Sequence, residues 1–144
     1  MRIKALVDFQ GGNVAQVAPA DTVRAANDRM AELNIGALAV TADDTIVGII
    51  SERDVARGIS RAGTGFLDET VQAAMSKNVI TCNVDTPVRE VTQLLCDNRI
   101  RHIPVLDDGR LVGMASIRDI LGSYVERVYA EYDAMEEQLD ALTS

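Results

Sequence analysis

The chain is short of positive charge, of long apolar runs, of cysteine and of histidine, and each shortage closes off a class of function. Its 14 Lys and Arg face 22 Asp and Glu, for a net charge of −8 and a pI near 4.5. That surface opposes non-specific binding to a nucleic-acid backbone, which needs positive charge to displace counterions. An anionic ligand has to be held by a local cluster of Arg, His or backbone amides. No apolar run approaches the roughly 20 residues that cross a bilayer, and the opening MRIKALVDFQGG lacks the apolar core and cleavage site of a signal peptide. A cytoplasmic chain without a membrane partner is expected. The two cysteines, Cys82 and Cys96, fit a reducing compartment, where buried thiols outnumber disulfides. Together with the single histidine, His102, they follow no common zinc-ligand spacing. There is no phosphate loop and no plausible Ser-His-Asp set, so neither a catalytic residue nor a metal is expected.

What the sequence has is repetition. With 144 residues, 47% of them apolar, it can form one compact domain or two small subdomains that share a core. One constant spacing, that between Gly48 and Gly113, also pairs Asn13 with Asn78, Val14 with Val79, Val23 with Val88 and Ile35 with Ile100. Val40 and Val105, Ser51 and Ser116, Arg53 and Arg118, and Asp54 and Asp119 follow without a gap. The chain is a tandem duplication.

Each copy carries the same local signals. Thr22 is placed to cap a helix bearing Val23, Ala26, Met30 and Leu33 at helical spacing; in the second copy Thr86 is the expected cap, Pro87 suits the first helical position, and Val88, Val91 and Leu95 follow. Two short apolar runs come next in each copy, joined by TADD or DDG, where Asp and Gly favour a tight hairpin. After Ser51 and Ser116 the helical pattern returns. The expected fold is α/β (α+β): tandem β-α-β-β-α units, each too small to bury its own sheet, packed across a pseudo-twofold axis with a long C-terminal helix. The segments read as an extension over 1–12, repeats over 13–66 and 67–125, and an amphipathic helix over 126–144.

The repeated stretches GIISERD (48–54) and GMASIRD (113–119) serve either the backbone or a ligand. Ser followed three residues later by an acid is a capping-box signature, and alone reads as a helix cap. A Gly at the end of the preceding strand, an Arg beside the Asp, and recurrence in both copies point beyond a cap. An acid in the first turn sits where the helix dipole favours negative charge, and a carboxylate can accept from both hydroxyls of a ribose. The helix amino end favours a nearby phosphate.

These residues resemble the paired cystathionine-β-synthase (CBS) domain, or Bateman module, whose ribose motif is Gly, two apolar residues, Ser or Thr, two variable residues and Asp. The resemblance extends through NVITCNVDTPVREV and RHIPVLDDGRLVG and covers residues 13 to about 125. It implies binding of an adenosine-containing ligand (AMP, ADP, ATP, NAD(H) or S-adenosylmethionine) between the copies, with no catalytic cofactor, in order to regulate something else. Asp54 and Asp119 are then the ribose acceptors, with Ser51 and Ser116 beside the sugar or phosphate. Gly48 and Gly113 let the ligand approach the strand. Arg53 and Arg118 are either phosphate partners or members of surface salt bridges. By the same resemblance the adenine lies near Gln16 and Val17 in the first copy and Thr81 and Cys82 in the second. His102 and Pro104 match the family's strand pattern, His102 being either a structural imidazole or a ligand contact helped by Arg99 and Arg101. Because that basic group belongs to the second copy, the stronger site is expected at Asp119, unless those side chains reach across to the first cleft.

Beyond Asp119, Leu121, Val125, Val128, Tyr132, Met135, Leu139 and Leu142 alternate four and three apart, the apolar seam of a coiled coil. It fits either a homodimer or higher homo-oligomer, or packing on the chain's own module. The opening IKALVDF reads as a pairing strand or a loose terminus. The leading expectation is a regulatory module sensing adenine nucleotides through its own oligomer or an unidentified regulated protein. A structural oligomerisation module and a small enzyme are the rival classes.

Overall fold

The computed structural model describes residues 1–9 and 14–143. The apolar runs form two three-stranded sheets of the same design. In the first, β1 (Gln16–Val17) lies parallel to β2 (Ala37–Ala42), which pairs antiparallel with β3 (Thr45–Ser51). In the second, β4 (Cys82–Asn83) lies parallel to β5 (His102–Asp107), which pairs antiparallel with β6 (Arg110–Ser116). Even the irregularity repeats, as a register shift at Val40/Thr41 and again at Val105/Leu106. Each hairpin closes over two residues of positive φ, Asp43 and Asp44 in one and Asp108 and Gly109 in the other, the backbone that matches strand twist.

Helix α2 (Val23–Leu33) buries Val23, Ala26 and Met30 on the first sheet, and Thr22 caps it by accepting from the Ala25 N–H. Leu33 is exposed instead of following that face, because Asn34 turns left-handed at φ 53° and ends the helix there. The second copy's α5 (Val88–Asp97) buries Val88, Val91 and Leu95, but Pro87, not Thr86, occupies its capping position. Thr86 is diverted: its hydroxyl accepts from the Asn83 N–H at 3.0 Å. Helix α3 (Glu52–Ala62) follows β3, a short 3-10 turn spans Thr64–Asp68, and a single helical turn, α4 (Val71–Ala74), ends the linker.

The beginning of the chain is neither a strand nor loose. It is a helix, α1 (Lys4–Phe9), with Ile3, Leu6 and Val7 buried in the core of the second copy. Its seat is duplicated by the linker. Val88 N donates to Met1 O and Ile3 N to Thr86 O, just as Val23 N donates to Glu69 O and Val71 N to Asp21 O. The segment leading into copy one therefore covers copy two, and the segment leading into copy two covers copy one. Both seats depend on glycine. A Cβ on Gly113 would lie 2.7 Å from Val7 Cγ2, and one on Gly48 would lie 2.8 Å from Met75 Cγ and 3.0 Å from the Ser76 carbonyl oxygen. The two glycines thus admit the protein's own chain at the places where the motif suggested room for a ligand.

The last helix, α6 (Ile117–Thr143), buries Ile120 beside the second sheet and then leaves the module. Residues 124–143 are exposed throughout, so the apolar seam does not fold back on its own copy.

The seat at Gly113 gives a stability prediction. Gly113→Ala should cost about 1–3 kcal/mol by overpacking against Val7, read from urea unfolding. Combining it with Val7→Ala should cost less than the two changes summed, since the second removes the clash created by the first. Strict additivity would show that α1 does not press on β6.

Candidate functional site

A cleft of about 220 Å³ opens between the two copies. One wall is the end of β3 and the first turn of α3, with Ser51, Arg53 and Asp54. The other is built from the segment that precedes β4 (Ser76, Asn78, Val79, Ile80) and the approach to β5 (Arg99 to His102, then Pro104). The two walls are tied directly: Ile49 N donates to Ser76 O at 3.1 Å and Ser76 N to Ile49 O at 2.9 Å.

The Ser51–Asp54 cap forms as its spacing requires. Asp54 N donates to Ser51 Oγ at 3.3 Å, Ser51 N donates to Asp54 Oδ2 at 2.8 Å, and the Ser51 hydroxyl lies 3.0 Å from the same Oδ2. Both contacts to the carboxylate use the same oxygen, Oδ2. Oδ1 accepts no hydrogen bond among the described residues, so the cap and a ligand do not compete for the same lone pairs. In the second copy Asp119 N donates to Ser116 Oγ at 3.1 Å. Of residues 11–15, the repeat counterparts of 76–80, residues 11–13 lie outside the described residues.

The basic group lies on the Asp54 side. Arg99 and Arg101 line this cleft together with Arg53 and Arg57, opposed by the carboxylates of Glu52 and Asp54 alone. Among the described residues none of these four guanidinium groups is in an ion pair; the pair that forms is Arg24–Asp68 at 3.2 Å. The second copy's cations therefore reach across to the first copy's motif, which is the case in which their charge does not favour the Asp119 site. Arg118 is exposed and lies outside this cleft. Arg99 holds its place at a backbone cost. It is left-handed at φ 53°, like its counterpart Asn34. Asn tolerates that region, whereas a long side chain pays about 1 kcal/mol to enter it.

His102 is half-buried at the junction. Its ring packs over Gly36, where a Cβ would lie 3.1 Å from Cε1 and 3.2 Å from Nε2. Burial pushes its pKa below the ordinary 6.5; the carboxylates of Asp119 and Glu52 pull it upward, and Arg101 adds to the lowering. The imidazole thus feels the caps of both copies.

The residues expected near the base, Gln16, Val17, Thr81 and Cys82, do not line this cleft with their side chains. Val17 and Cys82 belong to the two cores, and burial pushes the Cys82 thiol up to about 11. Gln16 is exposed and accepts from the Thr41 hydroxyl at 2.8 Å. Neither Gln16 nor Thr81 lines the Asp54 cleft, because the chain meets it a few residues earlier, at Asn78, Val79 and Ile80. The signal for these was the identity of Asn78 and Val79 with Asn13 and Val14 just outside the motif. Gly48 and Gly113 are likewise absent from the lining, their free faces being filled by Met75 and Val7. No cluster of three or more His, Cys, Asp or Glu among the described residues is placed to hold a metal ion.

A family model described as CBS domain matches residues 10–61 and 71–126. Among curated proteins the chain is similar to the mitochondrial CBS domain-containing protein CBSX3 of Arabidopsis thaliana, 39% identical over 110 residues, which is 73% of this chain and 53% of that protein. The chain thus spans about half the length of that relative. Among solved structures, a CBS-domain containing protein from Agrobacterium tumefaciens superposes with a TM-score of 0.83 at 33% identity, covering 86% of this chain and 99% of the other. The CBS domain pair of protein MJ0100, solved in complex with 5′-methylthioadenosine and S-adenosyl-L-methionine, gives a TM-score of 0.77 at 25% identity over 86% of this chain and 99% of its own.

The lowered pKa of His102 gives a signed pH dependence. The unfolded chain takes up the imidazole proton near 6.5, and the folded chain takes it up only at lower pH. The stability carried by the neutral ring is therefore full above 6.5 and is lost as pH falls through the folded pKa. His102→Gln should flatten the acid side of the stability curve, so that wild type loses ground to the variant on going from about pH 7 to pH 5. Urea midpoints at matched pH measure this; a wild type that gains on the variant as pH falls would reverse the sign.

Proposed function

The chain belongs to the CBS domain family, with two repeats of it in tandem, and on that premise we propose that it is a regulatory module that binds a phosphate-bearing adenosine ligand in the Asp54 cleft. One observation carries the reading: four unpaired arginines converge on a Ser-Asp capped helix start in a chain whose net charge is −8. Asp54 Oδ1 accepts from the ribose hydroxyls. Ser51 and the amino end of α3 meet the phosphate together with Arg53, Arg57, Arg99 and Arg101. Val79, Ile80 and Ile100 offer the base an apolar face, with Pro104 beside it. Ser116, Arg118 and Asp119 play the matching part in the other cleft, for which the first copy offers Asn34 and Gly36 in place of Arg99 and Arg101.

The related MJ0100 pair was solved with 5′-methylthioadenosine and S-adenosyl-L-methionine, which share the adenosine. The cation excess here favours AMP, ADP, ATP or NAD(H) over the positively charged sulfonium of S-adenosylmethionine. The module changes no substrate; its output passes through its own assembly, a homodimer or higher oligomer built on the exposed seam of α6, or through a regulated partner. No helix among the described residues is long and apolar enough to cross a membrane. The low positive charge argues against nucleic acid, and the cytoplasm is the proposed location.

Calorimetry with AMP, ADP, ATP, NAD, NADH and S-adenosylmethionine tests this, with the products assayed for turnover. Asp54→Ala should weaken the tightest nucleotide at least about tenfold, for loss of roughly 1.5–3 kcal/mol of charge-assisted bonding, while the lost cap costs only about 1 kcal/mol of stability. Asp119→Ala should spare that event. Arg99→Asn separates function from fold: it should raise stability by about 0.5–1 kcal/mol through relief of the left-handed arginine, yet weaken the nucleotide several-fold. No binding by any of the six would return the motif to a helix cap, and turnover would make the protein an enzyme.

A further inference from the structure

We infer that α6 pairs with the α6 of a second copy, and that the two helices run antiparallel. This deepens the self-assembly read above and rests on it. Residues 124–143 make an arm of about 30 Å with every residue exposed. A lone helix of this length is marginal in water, and a continuous apolar stripe along it calls for a cover. Val128, Met135 and Leu139 are 61%, 62% and 59% exposed.

Charge selects the direction. The seam is flanked by Tyr129, Glu131, Glu136 and Gln138. In a parallel pair in register, the residue before one seam position faces the partner's residue five further on, so Glu131 meets the partner's Glu136 and the contact recurs by symmetry. Four carboxylates then surround the middle of the seam with no base among them. In an antiparallel pair with Tyr132 level with the partner's Met135, every seam residue from Val125 to Leu142 finds an apolar partner, with Leu121 left outside: Val125 against the partner's Leu142, Val128 against the partner's Leu139. Glu131 now meets the partner's Gln138, and Glu136 meets the partner's Tyr129. An amide and a phenol can each donate to a carboxylate, so both like-charge contacts become hydrogen-bonding pairs. Arg127 and the partner's Asp140 come level but on opposite sides of the pair, so the choice of direction rests on these flanking contacts. One orientation is opposed by its flanking charges and the other is served by them.

Disulfide trapping in a Cys96→Ser background reads the orientation, since the remaining Cys82 is buried. Val125→Cys and Leu142→Cys chains carrying different tags are co-expressed and also made separately, with Val128→Cys and Leu139→Cys as a second set. The positions lie on the arm outside both cores, so folding is spared. The expected result is a cross-link between the two tags on co-expression and none in either variant alone. Cross-linking of each single variant with itself would mean parallel helices and overturn the inference. Dimers in sedimentation with no cross-link of either kind would overturn it too, leaving self-assembly intact. A monomer at tens of micromolar would remove both the orientation and the self-assembly reading beneath it.

Discussion

The cleft exists because Met75 can lie against the Cα of Gly48. A three-stranded sheet backed by one pair of helices leaves a strip uncovered, and each copy borrows its cover from the segment that leads into the other. At Gly48 the borrowed chain comes close enough for Ile49 and Ser76 to exchange backbone hydrogen bonds, and that bridge holds Ser76 and the residues after it against the start of α3. The wall of the site is thus a by-product of completing the core. A side chain at position 48 would move the wall before it met any ligand.

Much of this was written locally and was legible. The hairpin residues, the Ser51–Asp54 cap and the helical faces of α2 and α5 are decided within a few residues, so spacing alone reveals them, and the duplication confirms each reading with a second instance. The illegible parts are those decided by distant chain. Ile3, Leu6 and Val7 look like strand residues because nothing nearby shows that their apolar side is turned to the other copy. Gly48 and Gly113 read as room for a ligand for the same reason. The direction in which Arg99 and Arg101 face depends on how two sheets meet across an axis, which no local pattern encodes. The seam of α6 was legible as a stripe, and its exposure removed the choice of packing on its own module.

The copies share the capped helix start, and they differ in the cations that surround it. Asn34, Gly36 and Ala37 of the first copy stand where the second has Arg99, Arg101 and His102. Gly36 supplies the space over which the His102 ring lies, so the small residue of one copy accommodates the large residue of the other. The surrounding excess of acid does not cancel the cluster, because exposed charges beyond about 8 Å are largely screened at physiological salt. The positive character of the cleft is thus local to these arginines.

The exchanged covers also set an order of events during synthesis. Val7 is synthesised more than a hundred residues ahead of Gly113, the place it will occupy. At ordinary elongation rates the interval is on the order of ten seconds. The first copy, whose cover at Met75 follows it directly, can close during translation. Ile3, Leu6 and Val7 meanwhile wait in water for strands not yet made, so the nascent chain exposes this short apolar segment to chaperones long before its partner exists.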